Sequence, residues 1–299
     1  MKTILDSTAI SKIEKQSDMD EFVSSLGLKS ETVLLKPNWV DVSLGSHTEA
    51  KILDQFLTSL KGKKIYLVES YTFWRTEKST LGQGDYFSSK EAYFETGKQH
   101  WDHFREQDQW FLNYTGIGEV LKKHHTTYLN ITSELWQENT TNLVPKKIKD
   151  LHGADFISLA KLKGDSEFGA TLSIKNFFGL YPDPHRKKYH GEDDTKLLQS
   201  ILEINKTYRQ LFNCFFVVEG IFTASHVDWG SKGLQSFKDF GVIVGGKDGY
   251  QVDSYAFKLI NRQPLGQLKN LLSDYQKIFG GTFTNQEIPF DYHIEFPPL

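Results

Sequence analysis

The chain has one cysteine in 299 residues and no excess of charge of either sign: 35 Lys and Arg against 38 Asp and Glu leave a formal net charge of -3. A lone thiol excludes a disulfide framework, a Cys-rich zinc site and a protein-bound iron–sulfur cluster within one chain, since each needs several thiolates. That residue, Cys214, sits in the apolar run FNCFFVVEG and reads as a small buried hydrophobe. Balanced charge argues against a nucleic-acid partner, because binding a phosphate backbone depends on many Lys and Arg contacts that release counterions. No segment approaches the ~20 apolar residues that cross a bilayer, and MKTILDSTAISKIEKQS at the start has no apolar run of secretory length. The expectation is a soluble cytoplasmic protein without membrane or nucleic-acid partners, its oligomeric state open.

Motifs are also missing. There is no GxGxxG, Walker loop, HExxH or nucleophile elbow, and GVIVGGKDG lacks the spacing of a phosphate loop. Repeats, low-complexity tracts and Pro-rich linkers are absent too, so residues 1–299 read as one α/β domain. Hydrophobic residues make up 38% and aromatic residues 14%, enough for a sizeable core packed largely with Phe and Tyr.

What is present is an alternation of short β-rich runs with helix-compatible segments. The runs 31–37, 64–70, 126–132, 155–161, 214–220 and 240–246 predict strands, and several are nearly continuous apolar stretches, as strands covered on both faces require. Between them, 50–62, 115–125, 193–212, 252–261 and 266–279 place apolar residues at helical spacing. This order predicts a three-layer α/β/α sandwich with a mostly parallel sheet. Residues 71–113, aromatic and charged with no clear strand, read as an insertion or lid near the sheet end, with a helix over 88–104.

The candidate site residues cluster in two places. Lys36-Pro37-Asn38 follows the strand ETVLL, and ligands of open parallel sheets bind outside the carboxyl ends of strands. The alternative is a surface turn in which Asn38 bonds its own backbone. Residues 161–190 gather Lys161, Lys163, Lys175, Asn176, His185, Arg186 and His190 around glycines and prolines. Lys161 and Lys163 are two apart, so in an extended chain they point to one face. Lys175 lies amid Ile174, Phe177 and Phe178, where a charge is costly without a partner. Lysines hold phosphate or carboxylate as point charges, and Arg186 can bind one bidentately.

His185 and His190 stand five apart in DPHRKKYH, which Pro184 marks as a loop, so a divalent metal there would need carboxylates or a third His from elsewhere. The plainer reading is a solvated charged loop before a helix that opens on Asp193 and Asp194. Glu219 ends a buried strand ahead of a glycine loop, VVEGIFTASHVDWGSKG, an arrangement shared by active sites and ordinary turns. Asp253, near the predicted start of the helix after GKDG, reads as a cap.

LLKPNWV, ISLAKLK, SIKNFFGLYP with its trailing Lys and His, VVEGI and GGKDGYQVDSYAFKLI, in that order from Val33 to about Gly281, resemble the bacterial and archaeal family domain of unknown function 362. The KPN turn and the Lys-Asn-x-x-Gly element at 175–179 are the centre of the likeness. The resemblance implies no assigned general activity. Some members carry ferredoxin-like Cys clusters, which this chain lacks, so their iron–sulfur label does not transfer. Glu219 stands where the family tends to have Asp, and Gly164-Asp165 where a His often follows the lysine, which weakens a metal or proton-transfer role there.

Two readings follow. In one, an enzyme binds a small anionic metabolite in a lysine-lined pocket at the carboxyl edge of the sheet. Lys163, Lys175, His190 and Glu219 are then the candidate catalytic groups; Lys36, Asn38, Lys161, Asn176, His185 and Arg186 the ligand-binding ones; and a divalent ion is an open possibility. In the other, a non-catalytic protein docks an acidic partner on its basic loop. A third and weaker reading is an electron-transfer accessory that receives its cofactor from a partner.

Overall fold

In the computed structural model, residues 2–81, 101–140, 142–224, 227–228, 233–234, 237–292, 294 and 296 are described. The strands in chain order are β1 (Lys2–Leu5), β2 (Thr8–Lys12), β3 (Thr32–Lys36), β4 (Lys64–Glu69), β5 (Thr127–Asn130), β6 (Asp155–Lys161), β7 (Lys163–Asp165), β8 (Gly169–Thr171), β9 (Asn213–Gly220), β10 (Thr223–Ala224), β11 (Val227–Asp228), β12 (Gly233–Leu234), β13 (Phe237–Lys238) and β14 (Val242–Gly246). Eight of them form one sheet in the order β1-β2-β14-β9-β6-β3-β4-β5. The run β9-β6-β3-β4-β5 is parallel throughout, while β14, β2 and β1 continue the sheet antiparallel.

Strand residues alternate between two buried faces. Val33, Leu35, Ile157, Leu159, Phe215 and Val217 pack on one side, and Leu34, Phe156, Ala160, Phe216 and Val218 on the other. A side-chain period of two, apolar on both sides, needs a helical layer over each face. The first is built from α1 (Gln16–Ser25), α2 (Ala50–Ser59), α3 (Trp101–Tyr114) and α4 (Ile117–Lys123). The second comes from α5 (Ile131–Gln137), α6 (Lys146–Lys149), α7 (Ser173–Asn176), α8 (Lys187–His190), α9 (Leu197–Leu211), α10 (Gly249–Leu259) and α11 (Leu271–Phe279). The three-layer α/β/α sandwich with a mostly parallel sheet is the architecture expected from the sequence.

Several details differ from expectation. The chain opens with the hairpin β1–β2, closed by Asp6 in the left-handed region, and with α1, neither of which the apolar pattern flagged. In 71–113, residues 82–100 lie outside the described residues. Most of the helix expected over 88–104 lies among them, and the helix Trp101–Tyr114 that follows buries Phe111 and Leu112 in the first layer. The DPHRKKYH loop contains the short helix α8, and α9 begins at Leu197 instead of 193, because Asp193 and Asp194 both have positive φ.

Asp253 is not a cap of its own helix. Asp248 fills that place, accepting from Tyr250 N at 2.9 Å and Gln251 N at 3.4 Å. From inside α10, Asp253 instead accepts from Ser173 N and Ile174 N, both at 3.0 Å, and from the Ser173 hydroxyl. It therefore supplies acceptors for the orphan donors at the start of α7, the turn that carries Lys175 and Asn176. Asp253→Ala strips acceptors from three buried donors and should cost about 2 kcal/mol or more. Asp253→Asn keeps one acceptor and should lose less than half as much, as read from urea unfolding midpoints.

Candidate functional site

The loops after β3, β4 and β6 meet over the carboxyl edge of the sheet and enclose a cavity of about 270 Å³. Lys36, Asn38, Lys163, Lys175, Asn176, His185, Arg186 and His190 all line it, together with Glu69, Asp194, Gly179 and an aromatic wall. Lys161 and Glu219 do not.

The floor is a buried polar network. Lys36 is 1% exposed and Asn38 6%, so the KPN tripeptide is no surface turn. Lys36 Nζ donates to Glu69 Oε1 at 2.5 Å, Pro37 O at 2.8 Å and Asn176 Oδ1 at 3.3 Å, which uses all three ammonium protons. Asn176 is the hub: its Oδ1 also accepts from Asn38 Nδ2 at 3.1 Å, and its Nδ2 donates to Lys36 O at 3.2 Å and Ser158 Oγ at 3.0 Å. Asn38 Oδ1 in turn accepts from Lys163 Nζ at 3.2 Å, and Lys163 also donates to Ser46 O at 2.8 Å.

Gly179 closes the floor, for a Cβ there would sit 2.7 Å from Lys36 Nζ and 2.9 Å from its Cε. The Asn-x-x-Gly part of the element at 175–179 thus has a physical basis: Asn176 orients Lys36, from the KPN turn, and Gly179 makes room for it.

Burial pushes the Lys36 ammonium down to about 8, against the pull of Glu69 and with the repulsion of Arg186 and Arg75. Lys163 is likewise pushed down to about 8 by burial, offset by Asp41 and Asp165 and reinforced by Lys175. Arg186 donates from Nη2 to Ser70 Oγ at 2.8 Å and to Tyr71 O and Gly179 O, both at 3.2 Å. Its buried Nε has no hydrogen-bond partner among the described residues. Burial lowers this guanidinium to about 10. Arg186 has φ 53 and ψ 13, a left-handed conformation that costs a non-glycine residue free energy and tends to collect at functional sites.

Lys175 is the more accessible cation. Its Nζ stands 4.1 Å from the centre of the Phe168 ring, and its carboxylate neighbour, Asp165, is 3.6 Å away, beyond hydrogen-bond reach.

His190 and Asp194 form a pair on the rim. His190 Nδ1 lies 2.5 Å from Asp194 Oδ1, and the ring meets Phe178 edge-on at 4.8 Å. Burial holds the imidazole below its ordinary pKa, Asp194 pulls it up, and Lys175 and Arg186 push it down again. With Nδ1–H donated to the carboxylate, Nε2 carries the lone pair. His185 instead stacks on Phe73, with ring centres 4.7 Å apart and planes at 13°.

Lys161 and Glu219 belong to a second cluster. The large sheet's strand β6 ends at Lys161 and β7 starts a separate small sheet at Lys163, so the two lysines do not share partners as their spacing suggests. Lys161 pairs in register with Glu219 on β9. Its Nζ donates to Glu49 Oε2 at 2.6 Å and Phe222 O at 2.5 Å. Glu219 Oε1 lies 2.6 Å from the same Nζ, so two carboxyl groups face one ammonium. Burial, with Glu49 adding repulsion against the pull of Lys161, raises Glu219 to about 8.

Glu219 therefore cannot join the histidines around a metal. Among the described residues no group of three or more His, Cys, Asp or Glu side chains is gathered as an ion would need. His226 lies outside the described residues. Cys214 is half-buried, its thiol pushed up to about 12 by burial, which disfavours a reactive thiolate.

The sequence reading did not pick out Glu69 or Arg75, and it named Asp194 as a carboxylate near the histidines and at a helix start and Gly179 as part of the Lys-Asn-x-x-Gly element, not as lining of the cavity. Glu69 carried a usable signal, since it ends β4 as Glu219 ends β9. Arg75 did not: it bonds Trp39 O at 3.0 Å, Ser70 O at 2.9 Å and Asp108, tying two edge loops to α3 through contacts that no local pattern announces.

These features define an α/β sandwich with a cation-rich cavity at the carboxyl edge of its parallel strands. Residues 33–258 match the family model described as Domain of unknown function (DUF362), and the chain belongs to that family. No curated protein and no solved structure matches it. Among the described residues, no helix is long and apolar enough to cross a membrane.

Two kinds of group make stability depend on pH with opposite signs: the buried acids Glu219 and Asp253, raised to about 8 and about 7, and the buried amines Lys163 and Lys36, both lowered to about 8. Between about 4.5 and 8 the native state keeps a proton on Glu219 that the unfolded chain has released, so this contribution falls as pH rises. Between about 8 and 10.5 the unfolded chain keeps a proton on Lys163 that the native state has released, so this contribution rises. In urea unfolding across pH, Glu219→Gln should shrink the first limb and leave the part that Asp253 supplies, and Lys163→Met should shrink the second and leave the part that Lys36 supplies. Gly179→Ala should lower stability at every pH by displacing Lys36.

Proposed function

We propose that this chain is an enzyme that binds a small anionic metabolite, a phosphate or carboxylate, in the cavity at the carboxyl edge of the sheet. Lys175 and Arg186 hold the anion, and His190 moves a proton on the bound molecule. The observation that carries this reading is the gathering of Lys36, Lys163, Lys175 and Arg186, from separate segments of the chain, around one cavity. Bringing cations together away from water is costly unless something negative belongs among them. The internal carboxylates answer part of that charge, with Glu69 committed to Lys36 and Asp194 to His190.

The chemistry available is general acid–base catalysis beside a cationic clamp. His190 Nε2, its lone pair free of the Nδ1–Asp194 bond, accepts a proton from the ligand. Asp194 steadies the imidazolium that forms, acting as a positioning residue. Lys175 and Arg186 stabilise negative charge that develops on the ligand, which a buried setting strengthens. Lys36, Asn38 and Asn176 fix the floor, and Lys163 adds positive charge from behind Asn38. Docking of an acidic partner is less well supported, because Arg186 is buried and of the loop's cations Lys187 and Lys188 alone are exposed.

Calorimetric titration with inorganic phosphate and with small carboxylates tests the reading. At least one anion should bind, and Lys175→Ala, at a half-buried position, should weaken it at least tenfold while unfolding midpoints stay within experimental error. Affinity should hold below pH 8 and fall as pH rises through about 8, where Lys36 and Lys163 lose their protons. Unchanged affinity in Lys175→Ala and Arg186→Lys, or no binding of any anion, would overturn it.

A further inference from the structure

The cavity is not lined as a site for a hydrated sugar phosphate or a bare inorganic anion would be. Beside its cations, Trp39, Phe73, Trp74, Phe168 and Phe178 also line it. A polyhydroxylated ligand would leave its hydroxyls against these rings without partners, at the cost that buried unsatisfied polar groups carry. We infer that the ligand is a monocyclic aromatic acid, its anionic group on Lys175 and Arg186 and its ring against this wall. The inference rests on the anion-binding reading proposed above and narrows it to a substrate class.

Three observations carry it. The first is size: about 270 Å³ lies just under the usual range for cavities that hold drug-sized molecules, so one ring with an acidic group suits it and a nucleotide does not.

The second is that the wall is rigid. Trp39 is 1% exposed, donates from Nε1 to Thr48 O at 3.1 Å, and is wedged edge-on against Phe111 at 5.5 Å and Tyr128 at 6.1 Å. Phe178 is held between Tyr181 at 5.4 Å and His190 at 4.8 Å. Rings fixed in this way hold the shape of the wall, and the half-buried Phe73 and Trp74 present its accessible ring surface, at little entropic cost on binding.

The third is that charge and rings adjoin. Lys175 sits over Phe168, and both Lys175 and Arg186 act on His190, the partner of Phe178. An acid with a flat apolar body satisfies both halves of this lining at once, whereas an aliphatic acid of equal volume fits the charge and loses the ring contacts.

The test compares benzoate, cyclohexanecarboxylate and benzamide by calorimetry, with tryptophan fluorescence as a second readout, on the full chain and on Phe73→Leu. Leucine at 73 keeps an apolar wall and removes a flat face that now stacks on His185. Benzoate should bind roughly three- to tenfold tighter than cyclohexanecarboxylate, the range that one aromatic contact supplies. Benzamide should bind more weakly still, and Phe73→Leu should reduce the benzoate preference. If the two carboxylates bind equally, the aromatic inference is wrong while the anion site stands. If benzamide binds as tightly as benzoate, or nothing binds, the anion reading fails and takes the inference with it.

Discussion

The Lys36–Glu69 ion pair is the constraint around which the carboxyl edge of this molecule is arranged. Both side chains are almost wholly removed from water, at 2% and 3% exposure. A buried pair is tolerated only when its remaining donors and acceptors are also satisfied. That requirement brings Pro37 O and Asn176 to the ammonium, and Ser70 N, at 2.8 Å, to the second carboxylate oxygen. Asn176 can meet it only if α7 is seated, and α7 is seated by Asp253 from across the second helical layer. Gly179 must then lack a side chain. One ion pair thus dictates the conformations of three loops and the start of a helix, and what those loops leave between them is the cavity.

The molecule divides its buried charge into two clusters with different characters. Around the cavity four cations, Lys36, Lys163, Lys175 and Arg186, have Glu69, Asp41, Asp165 and Asp183 near them, and burial pushes Lys36, Lys163 and Arg186 down. Around Lys161 two carboxyl groups face one ammonium, and burial raises Glu219 instead. The first cluster borders the cavity, and the second is closed on itself away from it.

Much of this was legible in the chain. DFISLAK is the strand Asp155–Lys161 to the residue, because a run that is apolar on both faces has few alternatives to a buried strand. The KPN turn and Lys175-Asn176 could be placed at a site, since charged and amide side chains amid apolar runs need partners that only a buried network provides. The hairpin at the start was missed because its strands are short and its turn, Asp6-Ser7, has no glycine to mark it. The start of α9 was missed because Asp193 and Asp194, good first-turn residues by composition, take left-handed conformations beside His190.

Local side-chain period and composition are properties of neighbouring residues, and these determined the strands, the helices, the double covering of the sheet and most of the cations that line the cavity. Strand order belongs to contacts between segments far apart in the chain, so it decided the partnerships. Because β6 lies beside β9, Lys161 faces Glu219 and is removed from the cavity that its spacing from Lys163 seemed to assign it. Because β3 lies beside β4, Lys36 meets Glu69, a residue that no pattern around either one singled out.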